Sequence, residues 1–593
     1  SLLYRVYSAL LAPLLDSRWK AWTLLGVTFV LFLAAAMLAA TRAVPLKMLP
    51  FDNRNELQIL IDPQEGTTLE ETEALARRLT EPLRQASEVT DFQIYVGTAS
   101  PMDFNGMVRH YYLRRGANIG EIRVNLVGKR ERQMKSHEIA LRLRDQLEAI
   151  ARSQGARISI VEVPPGPPVL ATVTAEVYGE PGTPYETLRQ AAQTLEQRLM
   201  AEPGVSDVDS TVEDDAERFV FVTDQEKAAL SGVAAEDIAS TVAMALSGME
   251  VGRLQVEGEA DPLSIRLRLP RDSRSGLAPL RAVAVKGRPG IAKIRERDGI
   301  RDAAIPIVRL GELGSFQRLP REKAIYHKDL APVAFVYAEA VGRAPAEIVA
   351  DVNADLEPGS GSVSRAEPRA LSERTYLSNG GGIPWSLPEG TYLNWLGEGE
   401  LKITVDVFID LGIAFAVALV GIYFILVFQT ASYAMPLILM ISIPLTMIGI
   451  MPGFWLLSLI GGAPVAGYAN PTFFTATAMI GMIALSGIAV RNAILLIEFL
   501  HIALARGDSL REALLQAGAV RSRAIVLTAG TAMLAAVPIT LDPVFSGLAW
   551  ALIFGLLVST AFTLLVVPVT YDLVYRHKPG NGLPGATSKG ENP

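Results

Sequence analysis

The chain has 593 residues, of which 50% are hydrophobic and 20% charged, with a mean hydropathy of +0.28. That balance excludes a disordered or nucleic-acid-coating protein and falls short of a wholly membrane-embedded one, so a hybrid is expected. The formal net charge of −7 names no partner, and a chain without Cys has no disulfide framework, thiolate metal site or cysteine nucleophile.

The first 20 residues are read as a cytoplasmic amphipathic segment. Leu2–Leu15 either lies on the inner membrane surface or simply extends the span that follows. Ala21–Ala40 is apolar and long enough to cross a bilayer core of about 30 Å, which places a first transmembrane helix at residues 21–42. It is too long for a secretory signal and has no small-x-small cleavage site. The chain opens on Ser1, which is read as processing or as a piece of something longer, with the piece favoured.

Next comes a long polar stretch. Leu57–Asp62 is a short apolar strand, and Thr67 or Thr68 caps a helix with the apolar stripe Leu69, Leu75, Leu79 and Leu83. Strands at Phe92–Val96, Ile122–Val127 and Arg157–Val163, with a helix at Ser136–Ile150, complete two βαβ elements, a ferredoxin-like unit. The run Pro164-Pro165-Gly166-Pro167-Pro168 is a stiff hinge, after which the pattern restarts. Ala171–Tyr178 is a strand, Thr183 caps a helix to about Ala201, and Arg218–Thr223 is a strand. Residues 224–320 differ and read as an insert. Pro332–Ala338, Ala344–Leu356 and Tyr392–Trp395 then give a further βαβ element. Residues 357–390, rich in Gly, Ser and Pro, read as a mobile loop.

Five more apolar runs follow at about Val405–Phe428, Ala434–Ile460, Phe473–Leu500, Ala524–Leu541 and Leu548–Val569. Arg5, Arg18 and Lys20, then Arg506, Arg511, Arg521 and Arg523, then Arg576 and Lys578 fall on one side if the spans alternate. That side is cytoplasmic by the positive-inside rule, and the large domain faces outward. Leu510–Val520 reads as a surface helix or as part of the fifth span.

The fourth span carries Arg491. A guanidinium within a span costs at least about 2.5–3.5 kcal/mol and usually faces a bundle interior or a water path. Nine residues separate it from His501, roughly 13 Å of helix, which is far for snorkelling. Gly481, Ala484 and Gly487 are expected near the same face, letting another helix approach. Arg stays protonated, so Arg491 would be a fixed charge beside a carboxylate that gains and loses the proton. The chain offers no suitable one. Glu498 lies about 10 Å along the helix, and Asp406 and Asp410 stand at the outer end of the second span. In the fifth span Thr528 either relays a proton or bonds back to its own helix. Arg521 and Arg523 read as interface anchors. The five His (His110, His137, His327, His501, His577) lack ligand spacing, so no metal is expected. No Gly-rich phosphate loop or GxSxG occurs, which argues against an enzyme.

The run Gly487-Ile-Ala-Val-Arg-Asn-Ala-Ile-Leu-Leu-Ile-Glu-Phe499, with Arg521-Ser-Arg-Ala-Ile-Val-Leu-Thr528, resembles the tenth and eleventh spans of resistance–nodulation–division (RND) efflux pumps. Leu46-Lys-Met-Leu-Pro50 and Pro63-Gln-Glu-Gly-Thr67 are similar to the passage from their seventh span into the porter domain. The resemblance covers nearly the whole chain and is to the C-terminal half of an inner-membrane permease of the hydrophobe/amphiphile type. It implies an α-helical polytopic membrane protein with about six transmembrane helices and a large α+β periplasmic domain of ferredoxin-like porter subdomains. By that analogy residues 48–165 are the first porter subdomain, 166–223 and 321–400 the second, and 224–320 a docking insert. Residues 403–573 are the five-helix block and 574–593 a cytoplasmic tail.

The implied function is proton-driven multidrug efflux across the bacterial inner membrane, with no cofactor beyond the proton gradient. The implied partners are a missing N-terminal half bearing a carboxylate pair, two further copies in a homotrimer, a periplasmic adaptor, an outer-membrane channel and the lipid bilayer, with no nucleic acid. Arg491 stands where drug exporters usually carry Lys, with Asn492 beside it, and Thr528 and Arg521 fall on relay positions. The segment Gly97–Gly120, with Met102, Phe104, Met107, Tyr111 and Tyr112 and the nearby Tyr95, borders the region that matches the family's drug cleft. Flexible Met and flat aromatics suit varied apolar ligands, or pack an ordinary long loop.

Overall fold

The computed structural model describes residues 2–166, 168–290 and 293–576. Residues 577–593 of the tail read at 574–593, with His577 and Lys578, and Pro167 of the proline-rich hinge lie outside the described residues. The chain divides into two compact units, Ser1–Glu213 with Ala324–Pro593, and Asp214–Lys323.

Within the larger unit, six helices are long and apolar enough to cross a membrane: Arg18–Ala40, Glu400–Thr430, Met435–Gly461, Ala476–Ala505, Leu510–Leu541 and Ser546–Tyr575. They are called here the first to sixth spans. The third, fourth and sixth pack closely because glycines face their crossings. A Cβ at Gly481 of the fourth span would lie 2.8 Å from the Leu548 carbonyl oxygen of the sixth. At Gly449 and Gly453 of the third span a Cβ would run into Phe554. The second span is the least covered, with 6% of its apolar window buried against 67% for the third.

Two helix boundaries left open by the sequence are resolved. Leu510–Val520 is not a separate surface helix, because the helix runs unbroken from Leu510 to Ala536, capped by Ser509. Leu2–Asp16 is a helix of its own, ended at Ser17. Its Tyr7, Leu11 and Leu15 are buried in a core shared with the fourth to sixth spans, and the Tyr7 hydroxyl donates to the Leu564 carbonyl at 2.8 Å.

The polar stretch builds two larger antiparallel sheets, besides several two-stranded ones. In the first, the strand order is Val89–Thr98, Arg115–Leu126, Glu56–Asp62, Arg157–Val161. Ile59 and Ile61 of its central strand pack on Leu75 and Leu79 of helix Leu69–Gln85 and on Leu143 and Leu147 of helix Ser136–Ser153. Thr68 is the cap of the former: its hydroxyl accepts from the Glu71 N–H while the Glu71 carboxylate accepts from the Thr68 N–H.

The second sheet orders Tyr326–Lys328, Ala331–Ala340, Val173–Gly179 and Thr391–Asn394, with Val205–Ser210 also on Ala331–Ala340. Its helices are Tyr185–Met200 and Pro345–Ala354. Thr183 does not cap the former. Pro184 occupies that place, and the Thr183 hydroxyl donates instead to the Gly390 carbonyl at 3.1 Å.

Residues 357–390 are pinned, not free. Arg374 is buried and reaches Glu202, Asp351 and the carbonyls of Arg369 and Gly381. Trp385 is buried and donates to the Val352 carbonyl at 2.7 Å. Gly, Ser and Pro here serve tight turns around this charge cluster: Gly380 and Gly382 both have positive φ. The cluster also holds the C-terminal end of the first span, where Arg42 pairs with both oxygens of Asp351 at 2.8 and 2.9 Å. Arg343 binds Asp351 and Glu202 at 2.7 Å, and Arg198 binds Glu202 at 2.9 Å and Asp355 at 2.8 Å.

The smaller unit, Asp214–Lys323, begins ten residues before the insert read from the sequence. The difference is strand Glu217–Thr223, which pairs with Gly314–Pro320 inside this unit and not with the second sheet. Its small core contains Val233, Ile238, Val285, Leu310 and Leu313.

Candidate functional site

The fourth span is set by a backbone clasp. Phe474–Thr475 pairs in parallel with Leu46–Lys47, the segment that follows the first span. The Phe474 N–H donates to the Pro45 carbonyl at 2.9 Å and the Ala476 N–H to the Met48 carbonyl at 3.0 Å. Thr475 caps the helix at Ala478, and Thr477 donates to the Val544 carbonyl ahead of the sixth span at 3.0 Å. The preceding loop is tied outward, since the Tyr468 hydroxyl donates to Asp145 on helix Ser136–Ser153 at 2.6 Å.

From this start two faces run down the fourth span. Gly481, Leu485, Ala489, Asn492 and Leu496 are buried against neighbouring helices. Ile480, Ala484, Gly487, Arg491 and Glu498 are exposed along the opposite stripe. Gly481 therefore does not share the face of Arg491, and the close helix approach expected beside Arg491 occurs on the other side. At 100° per residue, Gly481 and Arg491 differ by about 80° around the helix, enough to separate them.

Arg491 itself is exposed, on a face that no helix among the described residues covers, where a bundle interior or a water path was expected. No carboxylate among the described residues pairs with it. Asn492 is buried, and its Oδ1 has no hydrogen-bond partner among the described residues. Thr528 is exposed on the fifth span, and its hydroxyl donates to the Ile525 carbonyl at 2.9 Å, the back-bonded arrangement. Arg521 sets its guanidinium 5.4 Å from the Phe499 ring centroid, a cation–π contact between the fifth and fourth spans. Arg491 and Thr528 thus share the property of lying on uncovered faces. Asn492 is turned into the bundle, and Arg521 is held by an aromatic ring.

The segment Gly97–Gly120 is packed in part, with Ser100, Asn105, Gly106 and Gly120 buried. Met102, Phe104, Met107 and Tyr112 are exposed, on and around the short helix Phe104–Val108 capped by Asp103. Tyr95 is half-buried and its hydroxyl donates to Gln93 at 2.8 Å. Tyr111 is half-buried and holds Arg109 at 3.2 Å, and Arg109 in turn reaches Glu339 of the second sheet at 3.1 Å.

Sequence reasoning missed the clasp and a buried pair beside it, Lys47 and Glu400, 3.8 Å apart. The only local signal was placement: Lys47 follows the first span by a few residues, and Glu400 opens the second.

The chain matches the AcrB/AcrD/AcrF family over residues 1–358 and 384–575. It is 23% identical, over 98% of its length, to the swarming motility protein SwrC of Bacillus subtilis, of which it covers 48%. It is 24% identical, over 69% of its length, to the cobalt-zinc-cadmium resistance protein CzcA of Cupriavidus metallidurans, of which it covers 34%. A crystal structure of a heavy metal efflux pump superposes on 97% of the chain with a TM-score of 0.71 and 18% identity, and the chain covers 52% of that pump. The chain therefore spans about half the length, or less, of the relatives it matches. Its span pattern, mixed α/β domain and match along nearly all its length place it in one group: the chain belongs to the AcrB/AcrD/AcrF family of RND permeases.

Proposed function

We propose that the chain is the C-terminal half of a proton-driven exporter of amphipathic or hydrophobic small molecules. The observation that carries this is Arg491, a permanent charge within a membrane span, on a helix face that no other helix among the described residues covers. A buried cation needs a carboxylate or water to be tolerated there, and a titrating acid opposite it would make the pair a proton switch. The acid comes from a partner half whose fourth span carries an Asp pair. The coverage of about half of each longer relative supports this arrangement. Asn492, Thr528 and Arg521 support the switch from the same two spans.

In this reading the protein is a multi-pass protein of the bacterial inner membrane with its mixed domain in the periplasm. The two sheets are ferredoxin-like porter subdomains, the unit Asp214–Lys323 is a docking insert, and the exposed Met102, Phe104, Met107 and Tyr112 border the cargo path. Trimers with a periplasmic adaptor and an outer-membrane channel complete the pump. The proton gradient is the sole energy source.

The test is dye uptake by proteoliposomes of the complete pump under an imposed pH gradient. Arg491→Ala abolishes gradient-driven uptake, and Arg491→Lys keeps part of it. Uphill transport by the Ala protein would sink the relay assignment. Dye movement indifferent to collapse of the gradient would point to a non-transporting scaffold. A second reading, export of divalent metal ions, is favoured by the names of two relatives, the cobalt-zinc-cadmium resistance protein and the heavy metal efflux pump. The same vesicles loaded with zinc in place of dye separate the two.

A further inference from the structure

In the larger unit a partly enclosed cavity of about 90 Å³ lies between helix Ser136–Ser153, the proline-rich hinge and the start of the second span. The wall is mostly apolar, with Met48, Phe51, Ala140, Ile160, Val163 and Val341 on it. The Phe51 ring stacks on His137 at 3.6 Å between centroids and forms a flat side.

The charged groups in this wall fall into two classes. Most are already hydrogen-bonded. Arg109 holds Glu339 at 3.1 Å, and His137 holds Glu162 at 2.7 Å. Asp52 pairs with Arg54, and Arg144 with Ser206, Asp207 and Glu148. Lys47 and Glu400 are different. Both are more than nine-tenths buried, at 6% and 7% exposure, and both line the cavity. They face each other at 3.8 Å, beyond hydrogen-bond distance, and among the described residues neither charged group has a closer polar partner. The ammonium rests on aromatic faces instead, 3.7 Å from the Phe51 centroid and 5.5 Å from that of Phe473. A separated pair of this kind leaves one set of donors and one set of acceptors open to the cavity, with no net charge between them.

We propose that this cavity binds an uncharged amphipathic molecule whose polar end both donates to Glu400 and accepts from Lys47, such as an alcohol or primary amide on an aromatic-sized apolar body. A charged head would unbalance the pair in an apolar pocket, and a purely apolar ligand would leave both charges unserved. Phe51 and His137 flank the apolar body. That such a ligand is cargo rests on the transport reading above; that it binds does not, because binding needs neither a gradient nor Arg491.

The experiment is fluorescence titration of the full chain in nanodiscs with dansylamide, whose primary sulfonamide donates and accepts, and with N,N-dimethyl-dansylamide, which only accepts. Dansylamide binds at least about tenfold more tightly, the worth of a hydrogen bond to a charged group. The double variant Lys47→Met/Glu400→Leu, which removes both charges together, erases that preference. Val163→Trp, which fills the cavity from the hinge and leaves the pair in place, weakens both probes. Size-exclusion profiles and thermal unfolding confirm that each variant is folded. Equal affinity for the two probes, a preference that survives the double variant, or unchanged binding to Val163→Trp would each overturn the proposal. Titration of Arg491→Ala keeps its failure separate from that of the transport reading: dansylamide affinity there stays at the wild-type value, and a loss would also count against the cavity.

Discussion

Two sets of arginines in this chain have opposite fates. At the second sheet Arg42, Arg198, Arg343 and Arg374 are drawn together with Asp351, Glu202, Asp355 and Glu347, and Arg198 and Arg374 are fully buried. In the fourth span Arg491 has no acid among the described residues and an open face around it. Burying a charge is tolerable only when its partner is supplied, and removing one partner then costs more than the pair contributes. The cluster at the second sheet draws its ion-pair partners from within the chain. In the membrane block Arg491 is left without an acid among the described residues.

The sharpest way to break this contrast is Asp351→Ala. It leaves Arg42, Arg343 and Arg374 buried without their shared acceptor, and a loss of about 3–5 kcal/mol is expected in urea unfolding of the detergent-solubilised chain. A loss below about 1 kcal/mol would mean the cluster does not pin the loop and the first span.

A smaller effect is expected at Glu347, the least well served acid of the cluster. Its Oε1 has no hydrogen-bond partner among the described residues, and Arg343 is 3.8 Å away. Burial pushes its carboxyl up to about 7, against the pull of Arg343 and Arg42. An acid raised in the folded state keeps its proton while the unfolded chain has lost it, so its contribution falls as pH rises from about 4.5 to about 7. Glu347→Gln should therefore match the wild type near pH 4 and exceed it near pH 8 by at most about 3 kcal/mol. Thermal unfolding across that range checks the sign, and a Gln variant less stable at pH 8 would contradict it.

Gly481→Leu tests the covered face of the fourth span. The side chain would meet the Leu548 backbone, and a cost of about 1–3 kcal/mol is expected from overpacking. The smallest effect belongs to Arg491→Ala on the chain alone: within about 0.5 kcal/mol, because no hydrogen bond or ion pair among the described residues is lost. A large loss of stability there would show that Arg491 is structural and would remove the contrast.

Much of the fold was legible in the sequence. The six spans follow from runs of apolar residues, and the two sheet units from strand and helix periodicities that restart after Pro164–Pro168. Thr68 was readable as a cap because Glu71 stands three residues on. The rest failed where the deciding contact is distant. Residues 357–390 look like a free loop by composition, yet Arg374 and Trp385 anchor them to residues far away in the chain. Thr183 fits a cap by type, but Gly390 claims its hydroxyl. Strand Glu217–Thr223 was assigned to the wrong unit because its partner, Gly314–Pro320, lies about a hundred residues on.

The candidate site divides the same way. That Arg491 is a charge inside a span, and that no acid at its depth follows nearby, can be read residue by residue, because helix rise and bilayer thickness set depth. Which way Arg491 points cannot, because that depends on where Gly481, Gly449 and Gly453 let the neighbouring spans come close. Sequence alone determined the elements and their order, through local propensity and the cost of exposing backbone to lipid. Only the tertiary structure decided which charges are answered within the chain and which are left open, because a salt bridge joins groups by distance in space and carries no mark in the intervening residues.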